Sequence, residues 1–318
     1  MGDLVFVEGV PGAGKSTTAQ FLARQLMRHG RPARWIYEEE VPNPFVPEMP
    51  VAGWPTWEDF AEAHIERWRA FARDTAAATE AVIVESYLLQ RPVFTMLRRD
   101  ADRTLIEALV TRFAGAVAPL RPKLVYLAHP DAERAWRAIA AKRGGAFMTD
   151  AVNRSEEWPF RQSRGLAGLD GVLAYWRAHA ALCDGIVSEL PMETLIVDVT
   201  ARGYSERRAQ ICKFLGVPAD EPPASDPRAL ARFTGRYRGG DREATISVED
   251  DRLALRGVLW PSNPLLPVAG NVFDVEAWPF QVIFEDAADG TVRALRWQGP
   301  RLWWGGPEGV YARMGDTA

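Results

Sequence analysis

The chain has 318 residues, of which 47% are hydrophobic, and a formal net charge of -4 at pH 7. This length suffices for two domains of usual size, and the slight acidity excludes the strongly basic surface field that a nucleic-acid-binding domain usually needs. No apolar run approaches the roughly 20 residues needed to cross a bilayer, so we expect no membrane partner. Because the net charge is slightly acidic, we also expect no nucleic-acid partner.

The first two-thirds of the chain alternates short apolar runs with amphipathic segments. The apolar runs predict buried strands at 4–7, 33–37, 81–85, 123–128 and 194–198. Helices are predicted at 16–29, from Thr56 to about Phe71, and at 104–117, 130–144, 166–183 and 205–215, whereas five prolines predict an irregular segment at 41–55. Strands separated by helices in this way indicate an α/β fold with a parallel sheet covered on both faces.

A proline-rich, acidic stretch at 218–229 predicts a stiff linker between a domain at 1–217 and a second domain at 230–318. After it the apolar residues alternate with period two at 244–248, 253–255 and 280–284. Turn signals separate these runs, at 250–251, 263–264, 270–271 and 289–290. The second domain is therefore predicted to be antiparallel β, either barrel-like or sandwich-like.

The N-terminus and the two cysteines indicate a reducing compartment. Met1 leads into an apolar strand without a basic region or cleavage site, and Cys183 and Cys212 both fall in predicted helices. We expect core thiols rather than a disulfide, and a cytoplasmic location.

A nucleotide-binding pattern stands between the first strand and the first helix. The residues Gly9-Val10-Pro11-Gly12-Ala13-Gly14-Lys15-Ser16 match G-x-x-x-x-G-K-[ST]. The glycines let backbone N–H groups turn toward phosphate oxygens, and the helix N-terminus adds its positive dipole end. Lys15 is expected to reach the β- and γ-phosphates and Ser16 to bind Mg²⁺. The predicted nucleotide-binding residues are Gly9, Pro11, Gly12, Ala13, Gly14, Lys15, Ser16 and Thr17.

The same stretch, from Glu8 to Thr17, resembles the opening of thymidylate kinases and deoxynucleoside kinases, which also place Glu-Gly ahead of the loop. The resemblance extends in layout to about Val217. It implies a five-stranded parallel sheet, a lid between the fourth and fifth strands, and phosphoryl transfer from ATP to a hydroxyl or phosphate of an acceptor. The chain departs from the pattern at Pro11, where thymidylate kinases have an acidic residue. It departs again at Glu85-Ser86-Tyr87, where these families have Asp-Arg or Glu-Arg-Ser, so the resemblance does not identify the acceptor.

Glu85 follows an apolar run and is predicted to lie at the carboxyl end of a buried strand, the edge at which α/β sheets bind ligands. A carboxylate there can accept the proton of an acceptor hydroxyl or bind the metal with its water shell. The third interpretation is a charged residue that only ends the strand. We favour the base, because the matching carboxylate of deoxynucleoside kinases faces the acceptor hydroxyl.

The acceptor is predicted to bind against 41–68, where prolines order a loop that carries Phe45, Met49, Trp54 and Trp57. His64 lies on the same helical stripe as Trp68, and we interpret it as a packed histidine rather than a catalytic one. Glu38, Glu39 and Glu40 follow the second strand. One of them could face the acceptor or the metal, although such charge runs are usually solvated.

Basic residues cluster at 131–164, the position of the lid in the resembled kinases. Lid arginines commonly stabilise the charge on a phosphoryl group in flight, and Arg137 and Arg143 are the candidates for this catalytic role. The alternative is that these residues form salt bridges on exposed helices. The cluster comprises Arg134, Arg137, Lys142, Arg143, Arg154, Arg161 and Arg164.

The second domain resembles the small lipocalin-like β domain appended to serine hydrolases related to penicillin-binding proteins. The resemblance is carried by Phe233-Thr234-Gly235-Arg236-Tyr237, by 265–268 with Phe273, and by Asp289-Gly290. We expect a module for dimerisation, lid support or ligand cover, with Trp297, Trp303 and Trp304 in its core or its contact surface. A homodimer through this domain is the predicted assembly.

Two other classes of protein remain open. A P-loop ATPase or GTPase switch would hydrolyse nucleotide without an acceptor, but the chain lacks the guanine-binding string Asn-Lys-x-Asp, and Glu85 stands alone rather than in an acidic pair. A nucleotide sensor would bind without turnover and report through the β domain. Small-molecule phosphotransfer is the preferred interpretation.

Overall fold

The computed structural model describes residues 3–47, 54–201, 203–220 and 226–315. It divides into two compact units. The first comprises Met1–Glu38, Pro42–Ala141 and Gly145–Ala219, and the second comprises Glu39–Val41, Lys142–Gly144 and Asp220–Ala318. The predicted linker at 218–229 spans the start of the last segment, and its residues 221–225 lie outside the described part.

The first unit contains a parallel sheet of five strands in the order β2-β3-β1-β4-β5. This confirms the predicted α/β class and the five strands that the kinase resemblance implied. Each predicted strand lies within two residues of its observed bounds. The strands are β1 (Leu4–Gly9), β2 (Ala33–Ile36), β3 (Ala81–Glu85), β4 (Lys123–Ala128) and β5 (Glu193–Asp198).

Helices cover both faces of this sheet because the central strands are apolar on both sides. Leu4 and Phe6 of β1 belong to one buried cluster, and Val5 and Val7 belong to the other. The helices are α1 (Lys15–Arg28), α2 (Trp57–Ala77), α3 (Gln90–Leu97), α4 (Arg103–Val117), α5 (Ala132–Arg143), α6 (Gly145–Ser155), α7 (Pro159–Gln162), α8 (Gly168–Glu189) and α9 (Tyr204–Leu215), and a further helix, α10 (Pro227–Leu230), belongs to the second unit. The first cluster lies under α2, α3, α4 and α8, and the second under α1 and α9.

Helix ends follow local chemistry where the sequence carries capping residues. Thr56 accepts a hydrogen bond from Asp59 N at 3.1 Å and begins α2, and Gly216 ends α9 with a φ of 67°. Four helices, α3, α6, α7 and α10, were not predicted. The helix α6 begins at Gly145, the residue at which the sequence predicted only a stop, and α8 continues six residues beyond the predicted end at Cys183.

The second unit contains a closed antiparallel barrel, which decides between the two predicted architectures. Its strands follow one another in space as in sequence, and pairing of β13 with β6 closes the barrel. The strands are β6 (Gly235–Gly239), β7 (Arg242–Glu249), β8 (Arg252–Arg256), β9 (Asn263–Ala269), β10 (Val272–Val275), β11 (Gln281–Asp286), β12 (Val292–Gln298) and β13 (Val310–Arg313). The closed barrel of eight strands is an architecture compatible with the lipocalin-like resemblance.

One predicted turn is wrong. Asn263-Pro264 begins β9, where Pro264 lies opposite Ala254 of β8 and its carbonyl accepts Glu276 N at 2.9 Å. Proline has no backbone N–H group to donate. It is tolerated at the start of a strand because not every N–H group there takes part in the hydrogen bonds between strands. The turn at 250–251 is confirmed, and both aspartates have positive φ, as a tight hairpin requires.

Aromatic side chains fill the barrel. The Phe233 and Phe284 rings lie 4.5 Å apart, and the buried Tyr237 hydroxyl donates to Phe233 O at 2.7 Å. Trp297 is buried in this core, whereas 64% of Trp303 is exposed. The role of the unit in dimerisation stays a prediction.

The predicted thiols are confirmed, since Cys183 and Cys212 are buried and neither forms a disulfide. Among the described helices, none combines the length and the apolar character that a bilayer crossing requires.

Candidate nucleotide and acceptor site

The loop between β1 and α1 has the backbone geometry of a phosphate cradle. Gly9 and Gly12 adopt φ values of 147° and 87°, which side-chain-bearing residues rarely reach. A Cβ atom at Gly9 would lie 2.5 Å from Leu127 O, and one at Gly12 would lie 2.6 Å from Ala135 O. These two positions therefore need glycine for space as well as for conformation.

The first turn of α1 faces the loop without a side-chain cap. Gly14 precedes the helix and has no side chain to accept from the first N–H groups, so these donors remain available to an anion. Lys15 is buried, and its Nζ donates to Val10 O at 3.2 Å, which folds the side chain back over the loop. The predicted residues from Gly9 to Thr17 thus form one continuous concave segment.

Glu85 ends β3 and is fully buried. Within the described chain, neither of its carboxylate oxygens makes a hydrogen bond of normal geometry. Burial raises the pKa of Glu85 well above its usual value, and the neighbouring Glu38 carboxylate raises it further. The Lys15 ammonium and the Ser16 hydroxyl oppose this rise, so both lie close to the carboxylate. The fold therefore brings Lys15, Ser16 and Glu85 together.

Glu38 is the member of the three-glutamate run that faces this cluster. Its carboxylate accepts Gln90 Nε2 at 3.2 Å, and its carbonyl accepts the Tyr87 hydroxyl at 2.8 Å. Glu39 instead accepts Trp304 Nε1 at 2.8 Å within the second unit. The three glutamates differ only in the direction in which each side chain points. A run of three identical residues in the sequence does not indicate these directions.

Ser86 turns the chain sharply from β3 into α3. Its φ of 66° lies in the left-handed region, and its hydroxyl is buried without a partner among the described residues. Ser86 N donates to Val7 O at 3.2 Å, and Ser86 O accepts Arg91 N at 2.8 Å. Such backbone strain concentrates at functional sites, because the surrounding structure must hold it in place.

Glu8, which directly precedes the loop, had no predicted role. Glu8 is fully buried and accepts Leu88 N at 2.7 Å and Gln90 N at 3.0 Å, so it fastens β1 to the start of α3. Burial raises the pKa of Glu8 to about 7, against the opposing effects of these backbone donors and of Lys15. The Glu-Gly pair ahead of the loop was the signal that could have identified it.

We expect Glu8→Gln to destabilise the protein more at pH 5 than at pH 8. A carboxyl group whose pKa is raised on folding adds stability below its unfolded pKa of 4.5 and loses it as the pH rises through about 7. The difference in unfolding free energy between variant and wild type should shrink by roughly 2–3 kcal/mol over this interval. Urea unfolding at pH 5 and at pH 8 measures this difference in unfolding free energy. The same difference at both pH values would contradict the raised pKa.

A cavity of about 160 Å³ opens in the region predicted for the acceptor. Phe45, Trp54 and His64 line it, whereas Trp57 is half-buried nearby and Met49 lies outside the described residues. The His64 ring packs on Phe60 with centroids 4.0 Å apart, and burial lowers the pKa of His64. This packing agrees with the structural interpretation of His64.

A second cavity, of about 250 Å³, lies beside the loop and was not predicted. Gly12, Thr17 and Thr18 form one side, and residues after β5 form another. There the Arg208 guanidinium carbon lies 4.0 Å from the centre of the Tyr204 ring, and Arg207 Nη1 donates to Val199 O at 2.7 Å. These residues follow a parallel strand at its carboxyl end, and that position was the available signal.

The basic residues of the predicted lid occupy different environments. Arg137 is exposed on α5, and the Arg143 guanidinium carbon lies 5.3 Å from the centre of the Trp260 ring within the second unit. Arg161 is fully buried and donates to Gly168 O at 3.0 Å and to the Ser155 hydroxyl, which fixes α6 against α8. Arg161 is thus a structural residue rather than an exposed member of the lid.

Comparisons with known proteins find solved structures of low sequence identity. No family model and no curated protein matches the sequence. Solved structures that match include a deoxyadenosine kinase from M. mycoides with bound dATP, at 16% identity and a TM-score of 0.34, over 67% of this chain and 99% of that one. An unliganded sugar kinase from Janibacter sp. HTCC2649 matches at 15% identity and a TM-score of 0.35, over 69% and 97% of the two chains. At these values the two proteins indicate nothing about the substrate of this chain.

Proposed function

We propose that this protein is a Mg²⁺-dependent phosphotransferase that moves the γ-phosphoryl group of ATP to a hydroxyl or phosphate of a small acceptor. The observation that carries the proposal is the fully buried Glu85 carboxylate, whose pKa is raised by burial and which lies beside Lys15 and Ser16. A buried carboxylate is costly to maintain, and carboxylates with raised pKa values are typical of catalytic sites. The cavity beside the loop would hold the nucleotide, and the cavity that Tyr87 lines would hold the acceptor.

Each residue has a distinct part in this reaction. The loop N–H groups and Lys15 hold the phosphates and neutralise charge on the transferred group. Glu85 accepts the proton of the acceptor hydroxyl as the new P–O bond forms. Tyr204 and Arg208 offer planar surfaces for the nucleotide base in the cavity beside the loop.

The residues present fit a magnesium ion bound mainly through phosphates. Within the described ranges, no group of three or more His, Cys, Asp or Glu side chains is placed to hold a metal. Mg²⁺ typically takes one or two protein oxygens together with substrate phosphates and water. Ser16 would supply one of these oxygens, and Glu85 would supply another if it binds the ion instead of acting as the base. The bound ion would neutralise charge on the β- and γ-phosphates.

An ATP-consumption screen tests the proposal. Nucleosides, nucleotides, sugars and aminoglycoside-like compounds are offered with ATP and Mg²⁺, beside a control without acceptor. Acceptor-dependent ADP formation with a phosphorylated product is the expected result. Equal ADP formation without acceptor would instead identify an ATPase switch, and binding without turnover would identify a nucleotide sensor.

We expect Arg137→Ala and Arg143→Ala to lower kcat more than they raise the KM for ATP. Charge that develops mainly in the transition state produces this asymmetry, and such an arginine contact is worth on the order of 10³ in rate. Steady-state kinetics measure it, with Arg154→Ala as the control, because Arg154 pairs with Asp150 on an exposed helix face. Small, equal effects in all three variants would assign Arg137 and Arg143 to the solvated surface.

A further inference from the structure

The acceptor cavity has a wall of aromatic rings that pack on one another. The Phe45 ring lies 5.0 Å from the Tyr87 ring in a stacked arrangement and 4.6 Å from the Trp68 ring. Trp68 stacks on Phe113 at 4.7 Å with an interplanar angle of 10°. Because these rings hold one another in place, they present a preformed apolar surface that suits a planar or apolar group.

Three arginines line the same cavity, and each lies in the helix α3 or directly after it. Arg91 lies in the first turn of α3, and Arg98 and Arg99 directly follow its last residue. Arg91 and Arg98 are seven residues apart, so they lie on the same face of the helix with a rise of about 10 Å between them. Arg91 N also donates to Ser86 O, which ties the start of this basic row to the residue after Glu85.

These cations have no acidic partner in the described part of the chain. Nearby carboxylates are engaged elsewhere, since Glu58 and Glu62 pair with Arg112 and Asp100 pairs with Arg164. Arg98 and Arg99 instead lie near the Phe94 and Trp57 rings, at 5.1 and 5.9 Å from the ring centres. Three guanidinium groups without a counter-charge form an attractive site for an anion.

The charges around Arg98 also favour the binding of an anion in this cavity. Partial burial lowers the pKa of Arg98, and the like charges of Arg99 and Arg91 lower it further. His64, on the opposite side of the cavity, has a pKa lowered by burial, so it adds no cation at neutral pH. Repulsion within the arginine group therefore costs free energy that a bound anion would offset.

We propose that the acceptor is an aromatic anion, whose ring enters the cavity that the aromatic side chains line and whose carboxylate, phosphate or sulfate group binds Arg91, Arg98 and Arg99. This assignment rests on the proposed phosphotransfer at the same site, and it names the class of the acceptor. Sugars and aminoglycoside-like compounds, which are uncharged or cationic and lack a planar ring, fall outside this class.

Isothermal titration calorimetry without ATP tests the assignment with two matched pairs of probes. The first pair is 4-(hydroxymethyl)benzoate and its neutral amide, 4-(hydroxymethyl)benzamide, and the second is thymidine 5′-monophosphate and thymidine. The anionic member of at least one pair should bind more tightly by about tenfold or more, since charge-assisted contacts to arginine are the strong ones.

Substitutions locate the effect. Arg91→Gln, Arg98→Gln and Arg99→Gln combined should abolish the preference for the anion, whereas the matching lysine substitutions should retain most of it. Arg73→Gln is the control, because Arg73 is exposed on α2 and does not line the cavity. The assignment is overturned if no anionic probe binds, if neutral and anionic members bind equally, or if the preference survives the triple Gln variant.

The same probes separate this assignment from the proposed function. If anions bind through the arginines but ATP consumption never depends on them, the anion site stands and the phosphotransferase proposal fails. If a neutral acceptor is phosphorylated at the same rate in wild type and triple Gln variant, the phosphotransferase proposal stands and the anion site fails.

Discussion

Glu85→Gln is expected to reduce phosphoryl transfer by roughly 10²–10⁴ while the fold and ATP binding are retained. The amide has nearly the same shape as the carboxylate and keeps one acceptor oxygen, but it does not take up the proton of the acceptor hydroxyl. Burial and Glu38 already raise the pKa of Glu85, and a higher pKa makes the carboxylate a stronger base. Single-turnover transfer to the best acceptor from the screen measures the effect.

A titration with Mg²⁺ distinguishes the base from a metal ligand. If Glu85 mainly binds the ion, Glu85→Gln weakens metal-dependent ATP binding, and extra Mg²⁺ partly restores it. If Glu85 is the base, transfer stays slow at every Mg²⁺ concentration. The two roles therefore give different dependences in ATP affinity and in turnover.

Glu80→Gln provides a matched control for this experiment. Glu80 precedes the same strand at its opposite end and pairs with Arg34 at 3.5 Å on the surface. It should transfer at the wild-type rate. A Glu85→Gln protein that also phosphorylates its acceptor at the wild-type rate would end the case for Glu85.

Lys15→Ala is expected to abolish nucleotide turnover, with a loss on the order of 10³ or more, the magnitude typical of a cation that contacts the transferred phosphoryl group. Lys15 contributes a charge rather than apolar packing, and its Nζ donates to Val10 O. The ammonium also lies near Glu8, Glu85 and His179, since it affects the pKa of each. Its removal should therefore raise the pKa values of both carboxyl groups.

Turnover and thermal unfolding of the purified variant measure this prediction. Lys213→Ala is the control, because Lys213 is exposed in the last turn of α9. The control should keep full activity, and both variants should remain folded, because neither substitution removes apolar packing. A folded Lys15→Ala protein with full activity would remove the basis for the assigned phosphate site.

The sequence by itself determined the fold class and the phosphate loop, because both depend on local patterns. The apolar runs at 81–85 and 123–128 gave strands at their observed bounds, since a strand buried on both faces must be continuously apolar. The loop from Gly9 to Ser16 is contiguous, and its chemistry requires glycine at fixed positions. Period-two alternation likewise identified the antiparallel domain.

Side-chain direction and long-range contacts decided the rest. The choice of a barrel over a sandwich depends on pairing between β13 and β6, which lie about seventy residues apart in sequence. The choice of Glu38 over its neighbours depends on which way each side chain leaves the end of β2. Neither property has a periodic signature in the sequence.

The site itself shows the same division. Glu85 was identifiable because the carboxyl end of a parallel strand is a known place for ligands. Glu8 and Arg208 had positional signals, but the surroundings of Glu8, Arg98 and Arg208 were not identifiable, because burial, the lack of a counter-charge and stacking on a ring arise only when distant segments pack together. A charged residue looks the same in sequence whether it meets water or another cation, and only the tertiary structure determines its surroundings.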